Sequence, residues 1–214
     1  MPVTLKLATS LDGRIATAAG ESRWITGDAA REAVHRLRAE HDAVVVGIET
    51  ALADDPELTV RLAGYERRQP ARVVLDSRQR LSPDSRLVKT AREIPTYVVA
   101  TTEPDPALVE AGVRVLRVPA EGEQRPDLKT VVEALSGEGL SRLFVEGGGA
   151  VAASFVRRGL VDALEWFRAP MLIGGEGRPG FGALAVAALA EAPHFRRIEV
   201  REVGNDIWER YARV

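Results

Sequence analysis

The residues best suited to chemistry lie in the stretch 143–159, where a carboxylate and three glycines separate an apolar run from a helical pattern. Residues 143–145 predict a buried strand, and 150–158 predict a helix with an apolar stripe, closed by Gly159. Backbone N–H groups at the start of such a helix bind phosphate, helped by the helix dipole. Gly148, Gly149 and Ala150 are therefore candidate anion ligands. The alternative is that the glycines serve packing alone.

Four charged residues in or near predicted strands are further candidates. Glu146 would repel a phosphate, so we expect it to face a second ligand that carries nitrogen. Asp54 and Asp55 follow the apolar run 43–46. Adjacent carboxylates usually mark a turn or a cap, but ligands of open α/β sheets bind at the carboxyl ends of strands. Lys6 lies inside the first predicted strand, where it is either solvated or directed at a ligand.

The pattern of predicted strands and helices indicates a single α/β domain over 1–214, with a mostly parallel sheet, helices on both faces and a C-terminal antiparallel hairpin. The apolar run 43–46 has no alternation, as expected of a parallel strand that is covered on both faces. The segment 48–52 is too short for a long helix. Asp28 is predicted to cap the first helix. The predicted strands are 3–8, 43–46, 71–76, 95–100, 113–118, 143–145, 161–167, 195–203 and 207–214. The predicted helices are 29–41, 106–111, 127–135 and 150–158.

Composition limits the possible partners. The chain has 214 residues, with 29 Lys and Arg against 31 Asp and Glu, so neither nucleic acid nor an acidic membrane is expected as a partner. The absence of cysteine excludes disulfides, thiolate nucleophiles and cysteine zinc sites. His35, His41 and His194 lack metal-binding spacing, so we expect no metal and assign them structural or surface roles. No run approaches about 18 apolar residues and no export signal is evident, so we expect a cytoplasmic protein.

Common sequence fingerprints are missing. The chain contains no G-x-G-x-x-G after its first strand, no G-x-x-x-x-G-K and no G-x-S-x-G. What remains is a glycine turn suited to phosphate, acids and bases near strand ends, and Trp24, which is either a core residue or a stacking wall. This combination indicates a nucleotide-dependent enzyme that works without metal.

Six blocks of sequence resemble one known family. They are LKLATSLDGRIA, GESRWIT, VVVGIETALADDPELTVR, VVLDS, LFVEGGGAVAASFV and LVDALEWFRAPMLIGG, in family order from Val3 to about Gly175. They resemble the reductase domain of the deaminase-reductase of riboflavin biosynthesis and the stand-alone pyrimidine reductases. The resemblance implies a dihydrofolate-reductase-like fold and NADPH-dependent reduction of a ribosylaminopyrimidine 5′-phosphate. Ring opening gives an imine, and hydride adds at C1′ to form the ribitylamino product. We expect deamination to occur elsewhere.

The resemblance also assigns residues by matching motif. Lys6, Asp54 and Glu146 become the catalytic candidates, although Lys6, Asp54 or a water can each supply the proton to the imine nitrogen. Ser77, followed by Arg78 and Arg80, predicts NADPH over NADH. The cofactor positions are Ala8, Trp24, Thr50, Asp54, Ser77, Gly148, Gly149, Ala150, Val151, Ala152, Ala153 and Ser154. The substrate positions are Ser22, Arg38, Leu58, Arg61 and Glu146.

Several alternatives stay open at this point. A paralogous reductase of another pterin-like substrate would carry similar cofactor motifs, and a non-catalytic nucleotide-binding protein is a second alternative. The sequence does not decide between the deaminated and the non-deaminated pyrimidine. We also expect a homodimer, partly from the resemblance and partly because the stretch 184–190 is strongly apolar.

Overall fold

The computed structural model describes residues 2–122 and 124–214. The chain divides into two compact units. The first unit contains residues 35–144, and the second contains residues 2–34 together with 145–214. The prediction of a single domain over 1–214 stays a prediction.

The secondary structure of the described residues alternates between strands and helices. The strands are β1 (Val3–Thr9), β2 (Arg14–Ala16), β3 (Ala43–Gly47), β4 (Ala71–Leu75), β5 (Thr96–Ala100), β6 (Arg114–Arg117), β7 (Ala120–Glu121), β8 (Arg125–Pro126), β9 (Leu143–Val145), β10 (Ala163–Arg168), β11 (Arg178–Pro179), β12 (Phe195–Val203) and β13 (Asp206–Arg213). The α-helices are α1 (Asp28–Ala39), α2 (Ile48–Asp54), α3 (Arg86–Lys89), α4 (Pro106–Glu110), α5 (Leu128–Gly137) and α6 (Gly149–Arg157).

In the first unit the strands β3, β4, β5 and β6 pair in parallel, in chain order. Every residue of β3 and β5 is buried, as their unbroken apolar sequences predict for parallel strands covered on both faces. The starts of the strands are tied together because Asp42 accepts hydrogen bonds from the backbone N–H groups of Ser141 and Arg142, at 3.0 and 2.8 Å. Because β3 and β4 pair in parallel, their carboxyl ends lie at one edge of the sheet and position the loops that follow them.

Arg72 in β4 is a charged side chain inside the first unit, and only 1% of its surface is exposed. Its guanidinium is satisfied by neutral oxygens: it donates to the hydroxyls of Thr90 and Thr96 and to the carbonyls of Leu87 and Ile94. Burial lowers the pKa of Arg72 to about 10. The side chain thus joins α3 and the start of β5 to the middle of the sheet.

In the second unit β1 pairs in parallel with β10, which pairs antiparallel with β13. Strands β12 and β13 form the predicted C-terminal hairpin, and Gly204 in its turn has φ +67°, a conformation that favours glycine. The strand pairs β1–β10, β3–β4, β4–β5 and β5–β6 are parallel, and the antiparallel pairs among the longer strands, β10–β13 and β12–β13, occur at the C-terminal hairpin and its neighbour. Two further antiparallel pairs, β2–β11 and β7–β8, join short strands. The predicted fold class, α/β with mostly parallel strands and a C-terminal antiparallel pair, is confirmed.

Two local predictions are wrong. Asp28 does not cap α1 but lies in its first turn, where its carboxylate pairs with Arg31; the carbonyl of Gly27 accepts the first helical bond, from the N–H of Arg31. The helix ends at Ala39 and not at His41. Asp54 and Asp55 were expected to lie in a loop after the segment 48–52, but α2 runs to Asp54, and Asp55 follows in the left-handed conformation with φ 39°. An aspartate tolerates that conformation better than most residues, which explains the early stop.

Candidate functional site

In the first unit, the segment that follows α2 carries the predicted residues Leu58, which is buried, and Arg61. Asp54 is half-buried at the end of α2, and Arg38 contacts the segment from α1. Leu58 has φ 54°, a left-handed conformation that is uncommon for a leucine. Residues held in such conformations cluster at binding and catalytic sites. The segment is therefore held in one shape at some energetic cost.

Two side chains of α1 hold this segment from one side. Arg38 Nη1 donates to the carbonyl oxygen of Thr59 at 2.8 Å, and His35 Nδ1 lies 3.1 Å from the same oxygen. His35 Nδ1 also lies 3.2 Å from the backbone nitrogen of Arg61, so its tautomer decides which of the two contacts is a hydrogen bond. The sequence predicted a structural or surface role for His35, and its place beside Arg61 was missed. His35 lies three residues before the predicted substrate residue Arg38 on the same helix face, and this spacing was the available signal.

Arg61 stands in a small network of exposed charges. Its guanidinium lies 3.2 Å from Glu57, and Glu57 also lies 3.6 Å from Arg86. Asp55 accepts a hydrogen bond from the backbone N–H of Arg86 at 2.9 Å. Of the two adjacent carboxylates, Asp55 therefore serves the start of α3. Arg61 is 55% exposed, so a phosphate can reach it from solvent.

The end of β4 carries the predicted cofactor residue Ser77 and the two nearby arginines. Arg80 pairs with Glu49, and this hydrogen bond raises the pKa of Arg80. The guanidinium of Arg78 forms no ion pair or hydrogen bond within residues 2–122 and 124–214. The sequence predicted both arginines as cations for an extra phosphate, but the structure leaves Arg78 available and commits Arg80 to Glu49.

Asp76, directly before Ser77, is completely buried. One carboxylate oxygen accepts the backbone N–H of Leu81 at 2.8 Å, and the other has no partner among the described residues. This contact closes the turn that carries Ser77, whose carbonyl oxygen accepts a hydrogen bond from the backbone N–H of Thr101 at 3.1 Å. From the sequence, Asp76 was predicted only as the last residue of a strand. A carboxylate at the end of a buried strand was the signal for its role in positioning Ser77.

In the second unit, Lys6 and Ala8 lie two residues apart in β1 and are both half-buried, between the buried Leu5, Leu7 and Thr9. Side chains alternate along a strand, so Lys6 and Ala8 share one face. The ammonium of Lys6 is thus placed on the same face as the predicted cofactor position Ala8. Glu146 follows β9 and is half-buried.

Trp24 is 64% exposed, which excludes the core alternative and leaves the stacking one. The guanidinium of Arg31 lies 4.3 Å from the centre of the Trp24 ring, and Arg31 also donates to the carbonyl of Thr26 at 3.0 Å. A cation over a tryptophan face is attractive, so Arg31 holds the ring in place. Ser22 lies close by in sequence and is half-exposed. The role of Arg31 beside Trp24 was not predicted from the sequence.

The start of α6 matches the predicted anion site in its backbone. Gly148 precedes the helix with φ 52° and ψ 143°, a conformation that is open to glycine and almost nothing else, and no side chain caps the first turn. The N–H groups of the first turn have no partner inside a helix and suit an anion. This uncapped start fits the phosphate groups of a nucleotide cofactor.

Packing also requires glycine at position 149. A Cβ atom there would meet the carbonyl oxygen of Pro179 at 2.5 Å, and the N–H of Gly182 donates to the carbonyl of Gly149 at 2.8 Å. The packing explanation therefore accounts for the bare Cα of Gly149, while the conformation of Gly148 accounts for the turn. Further along α6, Ala152 and Ala153 are buried, and Ala150, Val151 and Ser154 are not.

A loop of the second unit is clamped by Asp12. Its carboxylate accepts hydrogen bonds from the Ser10 hydroxyl at 2.5 Å and from the backbone N–H groups of Gly174 and Ile173 at 2.7 and 3.2 Å. The Ser10 hydroxyl and the Gly174 N–H lower the pKa of Asp12 to about 2. The clamp holds the glycine-rich loop ahead of Pro179 and Gly182, which pack on the start of α6.

Within residues 2–122 and 124–214, no group of three His, Asp or Glu side chains is placed to hold a metal ion. None of the helices described for those residues has the length and apolar character needed to cross a bilayer.

Comparison with known proteins identifies the family. The model of the RibD C-terminal domain matches residues 2–208. The chain belongs to the RibD C-terminal domain family. It is similar to the riboflavin biosynthesis protein RibD of Escherichia coli K12, with 38% identity over 216 residues that cover 96% of this chain and 58% of the relative. The chain therefore spans less than two thirds of that relative.

Two further relatives support the same family. A protein of Methanothermobacter thermautotrophicus named 2,5-diamino-6-ribosylamino-4(3H)-pyrimidinone 5′-phosphate reductase is 41% identical over 174 residues, covering 81% of this chain and 79% of the relative. The solved structure of Acinetobacter baumannii RibD, form 1, is 34% identical with a TM-score of 0.89, covering 100% of this chain and 58% of that one. The resemblance drawn from the sequence blocks is confirmed.

Proposed function

We propose that this chain is a pyrimidine reductase of riboflavin biosynthesis. In this proposal it reduces a ribosylaminopyrimidine 5′-phosphate to the ribitylamino product with NADPH. The M. thermautotrophicus relative, of which the chain covers 79%, carries a reductase name with such a substrate. The observation that carries the proposal in this structure is the start of α6, where a glycine-only turn and an uncapped first turn follow Glu146 directly.

Different residues would hold the different parts of NADPH. Trp24 offers an exposed ring for stacking, Ser77 and Arg78 offer a hydroxyl and a cation for the extra ribose phosphate, and the start of α6 offers N–H groups for the diphosphate. When bound, NADPH supplies the hydride. The remaining cofactor positions, Ala8, Thr50, Asp54 and the rest of Gly148 to Ser154, complete the proposed contacts.

The substrate would be gripped at two ends. Arg61, exposed and supported by Glu57, would hold the 5′-phosphate together with Arg38, whose Nη1 fixes the Thr59 carbonyl. Glu146 would accept hydrogen bonds from the amino groups of the pyrimidine, with Ser22 and Leu58 as further contacts. Reaction needs the donor and acceptor carbons at about 3 to 3.5 Å, which binding at both ends would enforce.

A proton must reach the imine nitrogen as the carbon is reduced. The candidates are Lys6, Asp54 and a water molecule. Lys6 shares a face of β1 with Ala8, and Asp54 lies at the end of α2. An ammonium group can only donate hydrogen bonds, whereas a carboxylate accepts them, so Lys6 is our first choice.

The proposed assembly is a cytoplasmic homodimer with no nucleic-acid or membrane partner. Leu189 is 89% exposed and Val186 is 41% exposed, so the apolar stretch 184–190 offers a surface that a second copy would cover. Sedimentation over a wide concentration range tests this part, and a monomer at every concentration would contradict it.

The reaction is tested by following NADPH oxidation with the phosphorylated ribosylaminopyrimidine in its deaminated and non-deaminated forms. We expect turnover with at least one form, and a clear preference between them identifies the substrate. NADPH binding without turnover of either form would favour the pterin-like paralogue or the non-catalytic nucleotide-binding protein, and turnover of a dihydropterin would then separate those two.

A further inference from the structure

A cavity of about 410 Å³ opens in the first unit at the amino ends of the parallel strands. Its walls include Ala71, the first residue of β4, Arg114, the first residue of β6, and Arg142, one residue before β9. Among the predicted site residues of this unit, Thr50, Asp54 and Ser77 follow the carboxyl ends of β3 and β4 instead. The four residue steps of β3 alone separate its two ends by about 13 Å. The cavity therefore lies at the opposite end of these strands from Thr50, Asp54 and Ser77.

The charge of the cavity is positive. Four arginines line it, namely Arg67, Arg68, Arg114 and Arg142, against the two carboxylates Asp42 and Glu138. His41 adds no charge at neutral pH, because burial lowers its pKa. Four positive charges against two negative ones leave an excess of two.

Both carboxylates are already committed to their own partners. Arg142 lies 3.1 Å from Asp42, and Arg114 lies 3.5 Å from Glu138. Although burial opposes its charge, hydrogen bonds from Arg142 and Ser141 lower the pKa of Asp42. By contrast, the guanidinium groups of Arg67 and Arg68 form no ion pair or hydrogen bond within the described part of the chain. The excess charge is thus carried by two adjacent, uncommitted cations.

The wall that carries these two arginines is fixed in place. The side-chain amide of Gln69 exchanges two hydrogen bonds with the backbone of Val60, at 2.7 and 3.1 Å. The hydroxyl of Tyr65 donates to the carbonyl of Arg68 at 3.0 Å, and the N–H of Ala71 donates to the carbonyl of Asp42 at 2.9 Å. The arginine pair is therefore presented by an ordered loop.

We propose that this cavity binds a small phosphate-bearing metabolite through Arg67 and Arg68. Arginine binds phosphate through two parallel N–H groups, and the two uncommitted guanidinium groups on this wall offer two such forks to a phosphate or a diphosphate. The volume falls within the range of about 300 to 1,000 Å³ that is typical of small-molecule pockets. The phenol rings of Tyr65 and Tyr97 line the same space and leave room for an organic group beside the phosphate.

The test is a titration of the full chain with inorganic pyrophosphate, followed by backbone amide NMR shifts. Pyrophosphate also suits the proposed cofactor site, so the position of each shifted signal is the readout. We expect a saturating shift at Arg67, Arg68 and Ser141. The double variant Arg67→Ala/Arg68→Ala should weaken that binding about tenfold or more, while shifts at Ala150 stay the same.

The matched control is Arg196→Ala/Arg197→Ala, which removes two adjacent, largely exposed arginines from β12 and the same total charge. It should leave pyrophosphate binding at the cavity unchanged. Absence of any shift at Arg67, Arg68 and Ser141 would overturn the proposal, as would equal weakening by the two double variants, which would indicate only a general charge effect. Since the readout is local binding, failure of the proposed reductase activity would not affect it.

Discussion

The two anion-binding regions proposed for the reductase site differ in the groups that would hold the anion. The first region would use side-chain cations, Arg61 beside Glu57 and Arg38 of α1 beside the carbonyl of Thr59. The start of α6 relies on the backbone, because Gly148 adopts a glycine-only turn and Gly149 allows Pro179 to pack closely. A side-chain site can lose one contact and persist. A backbone site depends on the whole turn, so a single substitution there should reduce anion binding more.

The largest effect should come from Gly149→Ala. The new Cβ atom would lie 2.5 Å from the carbonyl oxygen of Pro179, so the backbone must shift. We expect a loss of about 3 kcal/mol in the free energy of unfolding, as for other overpacked sites, together with loss of NADPH binding. Chemical denaturation and NADPH fluorescence titration measure the two effects.

Gly175→Ala is the control for that variant, because a Cβ atom there meets nothing within 4 Å and its φ is not left-handed. Its stability should be unchanged or slightly raised. Equal behaviour of the two variants would show that the close packing at Gly149 is unimportant.

Arg61→Ala tests the side-chain region and should have the next largest effect. Loss of a charged hydrogen bond to the 5′-phosphate should weaken substrate binding by about 1.5 to 3 kcal/mol, with NADPH affinity unchanged. Steady-state KM for the substrate and NADPH titration give the comparison. Arg92→Ala, which also removes an exposed guanidinium of the same unit, should change neither value. A fall in NADPH affinity in Arg61→Ala would assign this arginine to the cofactor.

Arg78→Ala should reduce the preference for NADPH. The unpaired guanidinium at an exposed position should contribute about 1 kcal/mol, so NADPH binding should weaken roughly fivefold while NADH binding does not change. Arg80→Ala should have less effect on NADPH because Arg80 is committed to Glu49. If Arg80→Ala has the larger effect, the phosphate displaces that ion pair and our assignment is reversed.

These two regions were not equally readable from sequence. The glycine turn, the strand before it and the helix after it were predicted because each has a local signal in residue type and spacing. The blocks around Lys6, Arg61 and Ser77 were recognised by family resemblance. The contacts of Arg31 with Trp24 and of His35 with Thr59 depend on how side chains meet across turns of the chain, which residue spacing alone does not specify.

The boundaries of the helices show the same limit. Asp28 was predicted as a cap because aspartate is a good one, but its carboxylate pairs with Arg31 within the first turn of α1.

The buried Arg72 was predicted only as part of a strand. Its four neutral acceptors come from α3 and the segment 90–96, and no local pattern in 71–76 reveals them.

The smallest expected effect concerns the Asp12 clamp, which supports the loop packed on the backbone region. The folded pKa of about 2 lies below the ordinary 3.8, so the clamp contributes fully above pH 3.8 and is lost as the pH falls toward 2. The amide shift of Gly174 should therefore titrate with a midpoint of about 2. Ser10→Ala should raise that midpoint. A midpoint near 3.8 in the unmodified chain would show that the clamp does not hold in solution.

The most direct test of the proposed reaction uses NADPH that carries deuterium at the transferable position of its nicotinamide. After turnover with the preferred pyrimidine, the product is examined by mass spectrometry and NMR. The account predicts one deuterium per product molecule, located at C1′ of the ribityl chain. Product without deuterium, or deuterium at any other carbon, would contradict hydride transfer to the sugar and with it the proposed function.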